Sequence, residues 1–96
     1  MPTFVTTIRF TEQGVKEVGQ TTQRAAGFET AARQIGANIL HQFWTTGEYD
    51  GLIVFDALDD ETATTLTLRL AAQGYVRTTT CRAFTAAEMT KVLAGV

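Results

Sequence analysis

Alternation of apolar and polar residues marks four segments of the chain as β-strands. In the first, Phe4, Ile8 and Phe10 fall on one face and polar residues fall mainly on the other. A short turn, residues 46–51, separates the second and third strands, which is typical of an antiparallel hairpin. We expect the four strands at 3–10, 38–45, 52–58 and 75–84.

Two intervening segments repeat apolar residues every three or four positions, as amphipathic helices do. Thr21 is expected to cap the first of these helices, and Gly36 to end it. The second begins after a cap at Asp59 or Asp60 and ends at Gly74. Their inward stripes are Arg24, Ala25, Phe28, Ala32 and Ile35 in the first, and Ala63, Leu66 and Leu70 in the second.

The order of these elements predicts an α+β fold. It runs β-α-β-β-α-β, and the capping box Thr85-Ala-Ala-Glu88 then opens a short C-terminal helix. This order is typical of a ferredoxin-like domain, in which a four-stranded antiparallel sheet carries both helices on one face. Residues 1–96 are expected to form one such domain.

The predicted strands are apolar on both faces, although the helices can cover only one. In the third strand, Leu52 and Val54 alternate with Ile53 and Phe55, and strands of this kind are normally buried on both sides. A small domain without disulfides also gains stability by association. We therefore expect a homodimer with sheet facing sheet, a dimeric α/β barrel. The sequence leaves open whether dimers associate further.

Composition and charge exclude several classes of protein. The chain is 45% hydrophobic with a net charge of −2, which argues against a nucleic-acid-binding surface. It has no apolar run long enough to cross a membrane, and no signal-peptide pattern at its start, so we expect a cytoplasmic protein. One cysteine and one histidine make neither an internal disulfide nor a typical zinc site. No motif indicates a metal or another cofactor.

His41 is the candidate acid or base, because imidazole exchanges protons near neutral pH. Ile39 and Phe43 are expected on the same face of its strand, which would place the ring beside a largely apolar surface. The alternative is a structural histidine at the boundary of the sheet or the dimer. No serine nucleophile accompanies it, since the chain contains no serine.

The turn Gly47-Glu48-Tyr49-Asp50 supplies candidate ligand-binding residues. Two carboxylates and a phenol can hold a polar ligand or move a proton, whereas Gly and Asp at such positions also serve the turn itself. Trp44, at the end of the preceding strand, is a further candidate for an aromatic pocket. Its alternative role is packing in the core or at the dimer interface.

Arg9 and Arg82 are candidates for binding an anionic group, because a guanidinium can hold a carboxylate by two hydrogen bonds. Their alternative is an ion pair with an acidic residue of the turn or of the third strand, in either subunit. Arg77 is expected on the face opposite to Arg82. Cys81 is expected to be a small buried residue.

Four collinear motifs resemble the GYD-domain family, and the likeness extends from Gln13 to Leu93. The resemblance implies a small bacterial or archaeal protein of the dimeric α/β-barrel superfamily, with a largely unassigned activity. Thr22 and Leu58 stand where this family often has proline, and Tyr75 stands where it often has asparagine. The motifs are Trp-Thr-Thr-Gly-Glu-Tyr-Asp at 44–50, Ala-Leu-Asp-Asp-Glu at 57–61, Val-Arg-Thr at 76–78 and Arg-Ala-Phe at 82–84.

Two classes of function fit these observations. The first is a small-molecule-binding or regulatory module, with its ligand in an apolar cleft between sheet and helices at the rim of the dimer. The second is a cofactor-independent monooxygenase or isomerase that acts on an aromatic or polyketide-like substrate, with His41 as acid or base. Analogy with the superfamily alone motivates the second class. The first is preferred because no pair of groups has a spacing that demands catalysis.

Overall fold

Both long helices pack on one face of a four-stranded antiparallel sheet in the computed structural model, which describes residues 1–96. The strands are β1 (Thr3–Phe10), β2 (Asn38–Trp44), β3 (Gly51–Asp56) and β4 (Val76–Ala83). The helices are α1 (Glu12–Lys16), α2 (Thr21–Gln34), α3 (Asp60–Ala72) and α4 (Ala86–Ala94), with a 3-10 turn at Val18–Gln20. In space the strands lie in the order β2-β3-β1-β4. The predicted α+β, ferredoxin-like fold is confirmed.

The core lies between the sheet and the two long helices. Phe4 of β1 and Phe55 of β3 stack with their ring centroids 5.4 Å apart. Phe28 of α2 and Leu66 of α3 are buried in the same cluster. We call this side of the sheet the helix face and the other side the open face. Burying such side chains supplies most of the free energy that opposes unfolding.

A bulge in β2 changes which of its side chains reach the core. The register pairs Ile39 with Phe55 and His41 with Val54, so that Leu40 and His41 together oppose one residue of β3. Ile39 therefore lies on the helix face, whereas His41 lies on the open face. The expectation that Ile39 and His41 share a face is wrong, because the extra residue shifts the alternation between them.

The open face carries apolar side chains that no helix covers. Leu52 and Val54 of β3 are only half-buried, and Phe43 of β2 is 55% exposed. Cys81 of β4 is also exposed there, so the expectation that it is buried is wrong. It lies on an outer strand, and its side of the sheet has no second layer within the chain.

Two helices begin with the caps that the sequence predicts. The Asp59 carboxylate accepts a hydrogen bond of 2.8 Å from the Thr62 backbone N–H, and that bond lowers the pKa of Asp59 below its ordinary value. Thr85 and Glu88 form the reciprocal capping box. The Thr85 backbone N–H, with a smaller contribution from Arg82, likewise lowers the pKa of the Glu88 carboxyl.

The C-terminal helix α4 contributes nothing to the buried core, since none of its residues is buried. Met89, Val92 and Leu93 leave it with an exposed apolar stripe. An ion pair of 3.4 Å between Glu88 and Arg82 links α4 to the sheet. None of the helices has the length and apolar character needed to cross a lipid bilayer.

Replacing Gly14 with alanine should destabilise the fold. A Cβ at this position would overlap the carbonyl oxygen of Tyr75, which also accepts a hydrogen bond of 3.1 Å from the Thr11 backbone N–H. We expect Gly14→Ala to lower the free energy of unfolding by about 1–3 kcal/mol. Urea denaturation followed by circular dichroism measures this change.

Gly27 provides the matched control, because a Cβ there would meet no atom within 4 Å. It lies inside α2, where alanine is favoured over glycine by about 1 kcal/mol. Gly27→Ala should therefore raise the free energy of unfolding. Equal effects at the two positions would contradict the close approach of α1 to Tyr75.

Candidate functional site

A cleft opens between α2 and the helix face of the sheet, beside the β2–β3 turn. Its cavity volume is about 60 Å³, which is room for several water molecules or for a small organic molecule. Ten of the sixteen residues that line it are hydrophobic, so the cleft favours an apolar body over a charged one. Ile8, Phe28, Ile53 and Leu70 contribute to its apolar wall.

Trp44 lines the cleft and connects its two sides. The indole Nε1 donates a hydrogen bond of 3.0 Å to Thr21 Oγ1, which joins the end of β2 to the start of α2. The expectation that Thr21 caps α2 is wrong: the preceding 3-10 turn runs directly into the helix, and Gln20 takes the N-cap position without a side-chain bond. A role of Trp44 in ligand binding stays a prediction.

Asp50 ties the β2–β3 turn to β1 at the rim of the cleft. Its carboxylate accepts a hydrogen bond of 2.8 Å from the Phe10 backbone N–H. Its own N–H donates to the Ile8 carbonyl at 2.8 Å, and its carbonyl accepts from the Thr45 N–H at 3.0 Å. Gly47 provides the positive φ of 109° that the turn needs. The Asp50 carboxylate thus has a structural partner before any ligand arrives.

Arg9, Glu48 and Tyr49 form a separate, exposed cluster. Arg9 and Glu48 make an ion pair of 3.3 Å, with side chains that are 57% and 71% exposed. The Arg9 guanidinium lies 5.3 Å from the centroid of the Tyr49 ring. None of the three lines the cleft. The structure therefore brings these candidates together, but outside the cleft that Trp44 and Asp50 line.

Arg82 lies at the other end of the sheet. Besides its ion pair with Glu88, its guanidinium lies 4.6 Å from the centroid of the Phe84 ring. It also donates a hydrogen bond of 3.3 Å to the Thr3 carbonyl. These contacts hold the start of α4 against β1 and β4. Arg82 pairs with Phe4 in the sheet, so it lies on the helix face, opposite to Arg77 as expected.

His41 lies on the open face and does not line the cleft. Its ring stacks on Phe43 with 6.0 Å between the centroids. No hydrogen bond to a carboxylate or hydroxyl orients it within the chain. No three His, Cys, Asp or Glu side chains come together in a group that could hold a metal ion.

Arg24 is the cleft residue that sequence reasoning did not select. Its Nη1 donates a hydrogen bond of 3.0 Å to the Glu17 carbonyl, whereas its Nη2 is buried without an acceptor. The guanidinium lies 4.2 Å from the centroid of the Tyr75 ring. The sequence did hold a signal: a charged residue shares an inward helix stripe with Phe28 and Ala32.

Comparisons with known proteins agree with this architecture. A family model described as "GYD domain" matches residues 4–93. The "Glutamine synthetase and cystathionine beta-lyase binding protein" of Thermus thermophilus is 29% identical over 90 residues, which cover 93% of this chain and 95% of that protein. A crystal structure of a protein from Thermus thermophilus has a similar fold, with a TM-score of 0.58 and 22% identity over 90% of this chain and 96% of the other.

Removing the Asp50 carboxylate should destabilise the turn and with it the rim of the cleft. Asp50→Ala leaves the Phe10 N–H without its partner, for which we expect a loss of about 1–3 kcal/mol in the free energy of unfolding. The control is Glu48→Ala in the same turn, which removes only an exposed ion pair and should change stability by less than about 0.5 kcal/mol. Urea denaturation compares them, and a larger loss for Glu48→Ala would contradict the assignment.

Proposed function

The chain belongs to the GYD domain family, and we propose that it is a small binding or regulatory module that holds a small molecule in the cleft beside α2. The observation that carries this proposal is the cleft itself. Its wall is mostly apolar, and a minority of its lining residues carry polar side chains. Concave, largely apolar sites with a small number of polar groups are typical of small-molecule binding.

The similarity to a binding protein supports a role without turnover. The Thermus thermophilus relative is named for binding two enzymes, glutamine synthetase and cystathionine beta-lyase. By analogy, we propose that this chain also acts through association with other molecules, and that a ligand in the cleft influences that association.

The geometry of the chain favours binding over the alternative activity, a cofactor-independent monooxygenase or isomerase with His41 as acid or base. Such a reaction needs the substrate beside the imidazole. His41 lies on the opposite face of the sheet from the cleft, and its ring has only Phe43 stacked against it. Within the cleft, the Asp50 carboxylate is already bonded to the backbone of β1.

We further propose that two copies associate through their open faces. The apolar side chains of β2 and β3 on that face have no cover within the chain, and Leu40 is 47% exposed. Exposed apolar surface of this kind on a sheet is typical of a protein–protein interface. A second sheet packed about 10 Å away would cover it. The cleft lies on the other side and stays accessible in such a dimer.

Filling the cleft should abolish ligand binding. Ala25 lines the cleft on α2, so the Ala25→Phe ring would occupy its volume. Native mass spectrometry of untagged wild-type protein should show a small non-covalent mass that is absent from the variant. The control is Ala26→Phe, since Ala26 is exposed on the same helix. An adduct retained by Ala25→Phe and lost by Ala26→Phe would contradict this location.

A charge on the open face should separate the two copies. Val54 lies on the open face of β3, the strand between β1 and β2. Val54→Asp would therefore bury a carboxylate in the interface at a high desolvation cost. Light scattering after size exclusion should give a dimer for the wild type and a monomer for Val54→Asp at micromolar concentration. Leu68→Asp, at a side chain 63% exposed on α3, should remain a dimer. A wild-type mass of 10.5 kDa would contradict the proposal.

A further inference from the structure

We infer that the ligand of the cleft is a small organic carboxylate whose charged end binds Arg24 and whose apolar body lies along α2. This inference rests on the proposed function, since it names the chemical class that the same cleft would accept. Three features support it: an unpartnered guanidinium nitrogen, an apolar wall beside it, and a carboxylate at the rim that is already occupied.

Arg24 differs from every other cationic residue of the chain. Of the eight Lys and Arg residues, four make ion pairs within the chain. Three more, Arg69, Arg77 and Lys91, are exposed to water. Arg24 alone is half-buried without a carboxylate within 4 Å, and its Nη2 has no acceptor. A buried donor without a partner is costly and uncommon in native proteins.

The position of the guanidinium prepares it for an anion. The Glu17 carbonyl holds Nη1 at 3.0 Å, and the Tyr75 ring lies against one face of the guanidinium at 4.2 Å from its centroid. Both contacts restrict the orientation of the guanidinium group, but neither neutralises its positive charge. Nη2 is left as the free donor, and a carboxylate is a planar anion that suits an oriented guanidinium.

The other residues that line the cleft determine which molecular body can carry the carboxylate of the ligand. Phe28, Ile53 and Leu70 form an apolar wall on the same lining surface as Arg24, and the available space suits only a small molecule. The other charged group of the lining is the Asp50 carboxylate, which repels a second negative charge. These constraints favour a monocarboxylate with a short aliphatic or single-ring body over a dicarboxylate or an inorganic anion.

The test uses the single tryptophan of the chain, Trp44, which lines the cleft and reports its occupancy. Wild-type protein is titrated with hexanoate and with 1-hexanol, which has the same chain length but no charge, while tryptophan fluorescence is recorded. We expect hexanoate to bind at least about tenfold more tightly than hexanol. Arg24→Gln should remove this preference by weakening hexanoate alone, and Arg24→Lys should restore part of it.

Arg33→Gln is the matched control, because Arg33 lies on the same helix but pairs with Glu29 outside the cleft. It should leave both titrations unchanged, and circular dichroism confirms that each variant is folded. Equal binding of hexanoate and hexanol, unchanged in Arg24→Gln, would overturn the carboxylate while leaving the cleft as the binding site. If neither probe alters Trp44 fluorescence at millimolar concentration, the proposed function fails together with this inference.

Discussion

The packing of both long helices on one face of the sheet is the constraint on which the rest of the structure depends. It concentrates the core on the helix face, where Phe4, Phe28 and Phe55 are buried, and it leaves the apolar residues of the opposite face to water or to a partner. The cleft also lies on the helix face, where residues of α2, α3 and the strands line it together. The two surfaces that suit binding therefore have one origin, and they lie on opposite sides of a single layer of strands.

This separation distinguishes the roles of the candidate residues. His41 belongs to the open face, where association of two copies would bury it. Trp44 and Asp50 belong to the cleft, although each already has a hydrogen-bond partner within the chain. Arg24, in the same cleft, has a guanidinium nitrogen, Nη2, without a hydrogen-bond acceptor. The Asp50 carboxylate of the β2–β3 turn therefore stabilises the fold. Arg24, by contrast, has a hydrogen-bond donor left for a ligand.

Much of the fold could be predicted from sequence because it follows from short-range rules. Alternation indicated the strands, and the caps at Asp59 and Thr85 follow from the hydrogen bonds that open a helix. The errors arose where a neighbouring or distant segment changes the local pattern. The 3-10 turn before α2 moves the N-cap from Thr21 to Gln20, and the exposure of Cys81 depends on its outer position in the sheet. The sequence marked Arg24 only as a charged residue on an inward helix stripe, because its contacts with Glu17 and Tyr75 arise only after folding.

The bulge at Leu40 has a consequence for how the sheet could be extended by strand pairing. β2 and β4 are the two edges of the sheet, and an unpaired edge is a template for another strand. The bulge interrupts the regular ladder of β2, whereas β4 is continuous over eight residues. Each chain therefore offers one regular edge strand, β4, for pairing with another copy. If the β4 strands of two copies pair with each other, no regular edge remains for fibre-like growth.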